Sequence, residues 1–298
     1  MTTPPNKLLE LSLLVLLALL WGSSYLFAKI AVTEITPITL VATRVVIASV
    51  FLFTVMKLTR QSLPRDPSMW LKFSIQAFFN SIGAWTLLAW GQQFVGAGLA
   101  SVLNSTAPIF VFLITLCLTR HESVSLMKLF GALVGLIGVI ILVGTEALKG
   151  FGDQVAGQLA CLAGAMLYAC AAIYGKQQFH TLSAVSTATG TMICASIVVL
   201  PWALIAEHPW TLEPSTKAIA ATLMLSVFCT GVALLIYFRL IRTLGSLGVA
   251  SQGYLRSGIG VLLGIVFLGE TISLSIFVGL AAAIAGVAMI NLTVGKKS

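Results

Sequence analysis

Arg256 is the residue whose chemistry is most unusual for its surroundings. It lies nine positions into an apolar stretch, about 14 Å from the start of that stretch at 1.5 Å per helical residue. No acidic residue lies within a helical turn of it, and an unpaired arginine in hydrocarbon costs at least about 3 kcal/mol. A carboxylate on a bound solute would neutralise the guanidinium and accept a bidentate pair of hydrogen bonds. The alternative is an arginine that bonds backbone carbonyls or cavity water.

Polar side chains recur at helical spacing in four apolar stretches. One face carries Ser101, Asn104, Ser105 and Pro108, and positions 148 residues later form a second face with Val249, Gln252, Gly253 and Arg256. Two further faces carry Gln76, Asn80 and Gly83, and Ser226, Cys229, Thr230, Ala233 and Tyr237. Polar groups in hydrocarbon are costly, so we expect these faces to line a cavity. The alternative is a set of hydrogen bonds between helices without a ligand.

Aromatic residues accompany these polar faces. Trp21 and Tyr25 share a helix face, and Tyr168 occupies the position equivalent to Trp21 in the second half of the chain. Trp85, Trp90 and Tyr237 lie in two of the stretches with polar faces. A cavity with aromatic walls and one cationic anchor would suit an amphiphilic organic acid or a bulky amino acid. Each aromatic taken alone could instead anchor the chain at a membrane interface.

The sequence lacks the residue patterns that metal binding, catalysis and a transmembrane proton relay usually need. The nine acidic residues and three histidines fall in loops or at the ends of apolar stretches, and the five cysteines lack metal-type or paired spacing. No nucleophile–base pair or catalytic motif is apparent, so we expect no enzyme activity, no metal and no cofactor. A transmembrane proton relay usually needs a buried carboxylate or histidine. We therefore expect uncoupled facilitation or exchange, or coupling through groups at the ends of the spans.

The elements that must position these residues are transmembrane helices. The 298 residues are 58% hydrophobic and 9% charged, with a mean hydropathy of +1.04, far from the composition of a water-soluble domain. Stretches long enough to cross a bilayer recur throughout, and none shows the strict alternation of a membrane β-barrel. The predicted spans are Leu8–Ala31, Ile38–Leu58, Trp70–Gln93, Leu99–Leu118, Leu126–Thr145, Gln158–Lys176, Ala184–Ala206, Ala218–Arg239, Leu247–Leu268 and Ile272–Thr293.

The net charge of +8 reports orientation in the membrane. If both termini are cytoplasmic, twelve Lys and Arg residues lie in cytoplasmic segments and three in outer segments. This bias follows the positive-inside rule, so we expect cytoplasmic termini and a multi-pass protein of the inner membrane. The basic residues therefore indicate a lipid bilayer as the surroundings, with no nucleic acid partner.

The two halves of the chain match each other at an offset of 147–148 residues. Lys29 corresponds to Lys176, Ala48-Ser49 to Ala195-Ser196, and Glu122 to Glu270. We predict two five-helix repeats, residues 1–148 and 149–298. Because five is odd, the second repeat is inverted in the membrane, an arrangement typical of secondary transporters that bind substrate near the midplane.

The residues resemble the EamA group of the drug/metabolite transporter superfamily. The similarity is carried by Trp21-Gly22-Ser23-Ser24, Arg44, Pro108 and Leu268-Gly269-Glu270, and it extends over nearly the whole chain. It implies ten helices, inverted repeats and export or exchange of small metabolites by alternating access. Residues assigned to structure or gating are Pro108, Arg44, Lys29, Lys176, Glu122 and Glu270. The first half departs from the family pattern with Arg120-His121-Glu122, and the second with Arg256 in the position equivalent to Pro108.

Within the superfamily, the favoured function is export of amino acids, with the aromatic amino-acid exporters (the YddG-like subgroup) as the closest model. The alternatives are export of drugs or other metabolites, a channel, and a membrane enzyme. Glycines at matching spacing, Gly131-x3-Gly135-x2-Gly138 and Gly279-x3-Ala283-x2-Gly286, are expected to brace each repeat rather than to form a dimer face. A monomer is therefore expected, with a dimer as the alternative.

Overall fold

The computed structural model describes residues 7–118, 130–131, 133–135, 137–138, 141, 152–179, 181–243, 252–271 and 274–292. Within these ranges the regular structure is helical. Two π-helical segments, π1 (Phe78–Gly83) and π2 (Val227–Val232), join consecutive α-helices, and a 3₁₀ turn covers Pro209–Thr211. The α-helices are α1 (Lys7–Val32), α2 (Pro37–Leu58), α3 (Pro67–Ala77), α4 (Ala84–Phe94), α5 (Ala97–Asn104), α6 (Ala107–Leu118), α7 (Asp153–Gln178), α8 (Ala184–Ala206), α9 (Thr216–Ser226), α10 (Ala233–Thr243), α11 (Gln252–Leu268) and α12 (Leu274–Leu292).

Apolar surface faces outward along these helices, as a bilayer requires. Ile205, Phe267 and Phe277 are each more than 60% exposed. In the described part of the chain, six segments are long and apolar enough to cross a membrane: Leu8–Val32, Pro37–Leu58, Ala97–Ile114, Asp153–Gln178, Ala184–Ala206 and Thr216–Leu240. These six coincide with six of the predicted spans. The total of ten stays a prediction, because most of Leu126–Thr145 and the start of Leu247–Leu268 lie outside the described residues.

The fourth predicted span, Leu99–Leu118, is confirmed as a segment that is long and apolar enough to cross a membrane, over Ala97–Ile114, but it is not one continuous helix. The structure breaks it at Ser105-Thr106 into α5 and α6. Pro108 explains the break, since it has no N–H to donate to the carbonyl of Asn104 and its ring would collide with that carbonyl. The hydroxyls of Ser105 and Thr106 turn back to bond the carbonyls of Ser101 (2.8 Å) and Leu103 (2.6 Å) at the end of α5.

The third and eighth predicted spans each contain a π-helical segment. π1 and π2 lie at the positions that the 148-residue offset pairs, to within one residue. In π2 the hydroxyl of Thr230 donates to the carbonyl of Leu225, five residues earlier, at 2.8 Å. The wider turn rotates every side chain after it, so the polar faces expected on these two spans are not continuous stripes.

One direct contact joins equivalent residues of the two halves. The hydroxyls of Ser49 in α2 and Ser196 in α8 lie 3.1 Å apart, and the sequence offset pairs these two serines with each other. An apolar core surrounds this contact, with Val45, Leu52, Met192 and Val199 buried between helices of both halves.

Glycine faces pack helices from different halves against each other. A Cβ at Gly286 of α12 would lie 2.5 Å from the carbonyl oxygen of Gly131 and from the amide nitrogen of Gly135. The two matching glycine motifs therefore contact each other within one chain. Gly135 also packs against Ile109 of α6. This pairing across the halves differs from the expected role of bracing each repeat separately.

Gly22 sets the distance between α1 and α11. A Cβ at this position would lie 2.6 Å from Cγ2 of Ile259 and 3.1 Å from the carbonyl oxygen of Arg256. We expect Gly22→Ala to lower the free energy of unfolding by about 1–3 kcal/mol, as overpacking does. Gly258→Ala is the matched control on α11, because nothing lies within 4 Å of its Cβ. Thermal unfolding in detergent compares the two, and equal stability of both variants would contradict the close packing.

Candidate functional site

Eight residues from several helices form what we call the central cluster. They are Trp21, Tyr25, Arg44, Trp85, Asn104, Tyr168, Tyr237 and Arg256. All eight were singled out from the sequence, seven as lining a cavity and Arg44 as structural. The cluster consists of two arginine–aromatic groups and one amide–tyrosine pair.

The first group is built around Arg256 of α11. Its guanidinium carbon lies 5.8 Å from the ring centre of Trp21 in α1, and the Trp21 ring packs against Tyr237 of α10 with ring centres 5.1 Å apart. Gly22 allows α1 and α11 to approach closely enough for this arrangement. The Nε of Arg256 is buried and has no hydrogen-bond partner among the described residues. An acceptor supplied by a ligand would satisfy it.

The second group is built around Arg44 of α2. Its Nε donates to the hydroxyl of Thr230 at 2.7 Å, and its guanidinium carbon lies 3.7 Å from the ring centre of Trp85. The indole N–H of Trp85 donates in turn to the hydroxyl of Tyr168. Arg44 is thereby fixed by a neutral hydroxyl and an aromatic face, and among the described residues no carboxylate pairs with it.

The amide–tyrosine pair connects α5 to α1. The side-chain amide of Asn104 donates to the hydroxyl of Tyr25, and the side-chain amide of Gln92 donates to the backbone carbonyl of Tyr25 at 2.9 Å. The Oδ1 of Asn104 is buried and, within the described part of the chain, accepts no hydrogen bond. It is a second group that a ligand could satisfy, in this case with a donor.

Gln252 lies on α11, which packs against α5, the helix that carries Asn104. The antiparallel packing of α5 and α11 is fixed by Ser101, whose hydroxyl donates to the carbonyl of Ser257 at 3.1 Å. Farther along α5, Gly98 lies against Val261. If this register continues for one more helical turn, Asn104 lies opposite the turn of α11 that runs from Gln252 to Arg256. The Oε1 of Gln252 is buried and also lacks a partner among the described residues.

Other residues proposed for the cavity have different surroundings. Ser101 and Ser105 bond backbone carbonyls, so they hold helices in place. Asn80 donates to its neighbour Ser81 at 3.1 Å. Gln76 lies beside Gly175 of α7, with its Oε1 buried and without a partner in the described regions.

The end of the molecule that contains Lys29, here called the Lys29 end, holds the loop between α4 and α5 in place. The Lys29 ammonium donates to the carbonyls of Gln92 (2.6 Å) and Val95 (3.0 Å), a favourable position for a cation at a helix C-terminus. The Glu270 carboxylate accepts from the amides of Ala97 (2.6 Å) and Gly98 (2.9 Å) at the start of α5. These contacts set the position of the helix that carries Asn104.

Glycines make room for the Glu270 carboxylate. A Cβ at Gly96 would lie 2.7 Å from its carboxyl carbon, and a Cβ at Gly264 would lie 2.5 Å from its Oε2. Lys29 and Glu270 were assigned structural or gating roles from the sequence, but these partners were not identified. The equivalent contacts of the other half cannot be compared, because Glu122 lies outside the described residues; Lys176 is exposed.

Two more carboxylates cap helices across the halves at the Lys29 end. Glu207 accepts from the amides of Ile38 (3.1 Å) and Thr39 (2.6 Å) at the start of α2. Glu34 accepts from the amide (2.6 Å) and hydroxyl (2.9 Å) of Ser215 at the start of α9. These two bonds lower the pKa of the Glu34 carboxyl below its ordinary value. The stabilisation is therefore present above the ordinary pKa and is lost as the pH falls through the folded-state pKa.

At the opposite end, α1 and α10 are joined by an ion pair. Glu10, 1% exposed, accepts from Nη2 of Arg239 and from the hydroxyl of Thr243, both at 2.8 Å. The sequence placed Glu10 correctly near a span end but could not identify its partner 229 residues away. Among the residues that the structure describes, no group of three His, Cys, Asp or Glu side chains is arranged to hold a metal ion.

Comparison with known proteins gives one family and several relatives. The model of the EamA-like transporter family matches residues 8–144 and again residues 155–292. The chain is 23% identical over 279 residues to the uncharacterized transporter YoaV of Bacillus subtilis, covering 94% of this chain and 95% of the relative. It is 27% identical over 278 residues to the uncharacterized inner membrane transporter YedA of Escherichia coli K12, covering 93% and 88%.

The fold is also similar to one of known structure. A protein crystal structure superimposes with a TM-score of 0.69 over 97% of this chain and 98% of the other, at 19% sequence identity. At that identity the similarity concerns the fold alone.

Proposed function

Because the chain belongs to the EamA-like transporter family, we propose that it is a secondary exporter of small organic acids, foremost amino acids, the aromatic ones included. The observation that carries this proposal is the buried Nε of Arg256 in the central cluster, which has no hydrogen-bond partner among the described residues. A solute carboxylate would supply the missing acceptor. The amide oxygens of Asn104 and Gln252 need donors, which an α-ammonium group carries. An amino acid offers both.

The proposed mechanism is alternating access between two inverted five-helix repeats, residues 1–148 and 149–298. Three observations support the repeat: the family model matches twice, π1 and π2 occupy equivalent positions, and Ser49 contacts its equivalent Ser196. In this arrangement the Lys29 end faces outward and the Glu10 end faces the cytoplasm, in accord with the charge bias of the loops. The protein is placed in the inner membrane, as its relative YedA is by name. One chain supplies the whole central cluster, so the proposal requires no second subunit.

Counterflow in proteoliposomes tests the function. The purified protein is reconstituted with unlabelled amino acid inside, and uptake of a labelled panel from outside is followed. We expect saturable uptake that is accelerated by internal substrate. Linear uptake without acceleration would indicate a channel, and chemical conversion of the labelled solute would indicate an enzyme. Absence of exchange for every amino acid and organic acid in the panel would overturn the proposal.

A further inference from the structure

We propose that Arg44 is a second cargo-binding guanidinium, and that the central cluster selects a cargo with two anionic groups. The inference rests on the proposed function, which requires only one anion at Arg256. The simplest cargo that fits is a dicarboxylic amino acid.

The first step concerns the charge of the cluster. Arg44 and Arg256 both lie among helices. Among the described residues, the ion pair that a guanidinium forms is the one between Arg239 and Glu10, at one end of the molecule. Arg44 bonds a neutral hydroxyl, and Arg256 has a free Nε within the described residues. A guanidinium without a carboxylate partner is costly in a low-dielectric interior, and neither Arg44 nor Arg256 has one among the described residues. A single carboxylate on the cargo would neutralise only one of the two.

The second step concerns the geometry, in which Tyr168 links the surroundings of the two guanidinium groups. It packs against the apolar core that contains Trp85, whose ring face Arg44 covers, and against a second core formed by α1 and α5. These two helices pack against α11, which carries Arg256. The Tyr168 hydroxyl accepts from the indole of Trp85, so its own proton is available to a ligand. Arg44, Arg256 and Tyr168 therefore belong to one region, in which the buried Nε of Arg256 has no acceptor among the described residues.

The third step concerns the aromatic rings. The face of Trp85 is covered by the Arg44 guanidinium at 3.7 Å, a cation–π contact. Trp21 contacts both Arg256 and Tyr237. Because these contacts cover part of the two indole rings, less of each ring face is free to stack on an aromatic cargo. Among the amino acids of the proposed function, this arrangement ranks a compact, charged one above a bulky apolar one.

The fourth step concerns the unpartnered acceptors. Asn104 Oδ1 and Gln252 Oε1 call for donors, which a simple dicarboxylate lacks and an amino group supplies. An acidic amino acid carries two carboxylates for the two guanidinium groups and an ammonium for the two amide oxygens. A phosphate monoester would share the double negative charge without the ammonium.

Matched pairs of solutes test the inference in the counterflow assay. Glutamate and glutamine differ only in the second carboxylate, so we expect glutamate to compete about tenfold better than glutamine in the wild type. Succinate and glycerol 3-phosphate distinguish a general dianion site from one that also requires an ammonium; both should compete more weakly than glutamate. Phenylalanine is expected to compete no better than glutamine.

Substitution of Arg44 tests whether this residue causes the preference for glutamate over glutamine. Arg44→Gln should reduce the glutamate-to-glutamine preference to about one while glutamine exchange persists, and Arg44→Lys should retain most of the preference. Arg65→Ala, which removes an exposed cation, should leave the preference unchanged. Equal competition by glutamate and glutamine in the wild type overturns the inference, whether or not Arg44→Gln folds. If a folded Arg44→Gln variant loses exchange of glutamate and of glutamine equally, Arg44 has a structural role alone. Absence of all exchange in the wild type would instead contradict the proposed function.

Discussion

Arg256→Ala is expected to reduce amino-acid exchange about a hundredfold while leaving the protein folded. A hydrogen bond to a charged group contributes about 1.5–3 kcal/mol, and a carboxylate can accept two from a guanidinium. Losing about 3 kcal/mol of cargo binding corresponds to about a hundredfold in affinity. The free Nε of Arg256 indicates that the protein itself would lose no hydrogen bond from that atom. Initial rates of counterflow measure the effect.

Two further variants make this prediction specific. Arg256→Lys keeps the charge but loses the planar pair of donors, so an intermediate rate is expected. Arg65→Ala removes an exposed positive charge outside the cluster and should exchange as the wild type does. An Arg256→Ala variant that exchanges at the wild-type rate would remove Arg256 from the binding site.

Glu270→Ala is expected to have the largest effect on stability. It leaves the amides of Ala97 and Gly98 without their acceptor at the start of α5, and it removes the anion near Lys29. We expect the free energy of unfolding to fall by about 2–3 kcal/mol, the range for hydrogen bonds to a charged group. Because α5 carries Asn104, exchange should fall as well. Thermal unfolding in detergent, together with counterflow, measures both effects.

The control for Glu270→Ala is another acidic residue that lies in a loop. Glu213 is exposed in the segment between α8 and α9, and Glu213→Ala should leave both stability and exchange unchanged. Glu270→Gln keeps one oxygen acceptor but loses the charge, so an intermediate stability is expected. If Glu270→Ala unfolds at the same temperature as Glu213→Ala, the carboxylate does not hold α5 in place.

The residues of the central cluster could be selected from the sequence because polar and aromatic groups stand out against an apolar background. Arg256, Asn104 and Gln252 were singled out by depth and helical spacing. In the structure Arg256 contacts Trp21, Asn104 bonds Tyr25, and the Oε1 of Gln252 is buried. Arg44 was also singled out, as a structural residue, but its partners Thr230 and Trp85 could not be identified, because sequence spacing cannot relate α2 to the helices that carry them.

Contacts between the halves could not be predicted from the sequence. The bonds of Glu270 to Ala97 and of Glu207 to Thr39 join residues 173 and 168 positions apart, and no local pattern encodes their meeting. The π segments were also missed, since their sequences contain no residue that demands a wider turn. The break between α5 and α6 is different: Pro108 signals it by a local steric rule, and treating Leu99–Leu118 as one helix gave that rule too little weight.

Exchange rates combine binding with movement of the protein, so the most direct measurement is equilibrium binding of the exchanged amino acid to the purified protein. We expect saturable binding to the wild type, binding of equal affinity to Arg65→Ala, and a dissociation constant about a hundredfold higher for Arg256→Ala. Equal affinity of Arg256→Ala and the wild type would contradict the claim that the Arg256 guanidinium in the central cluster binds the cargo.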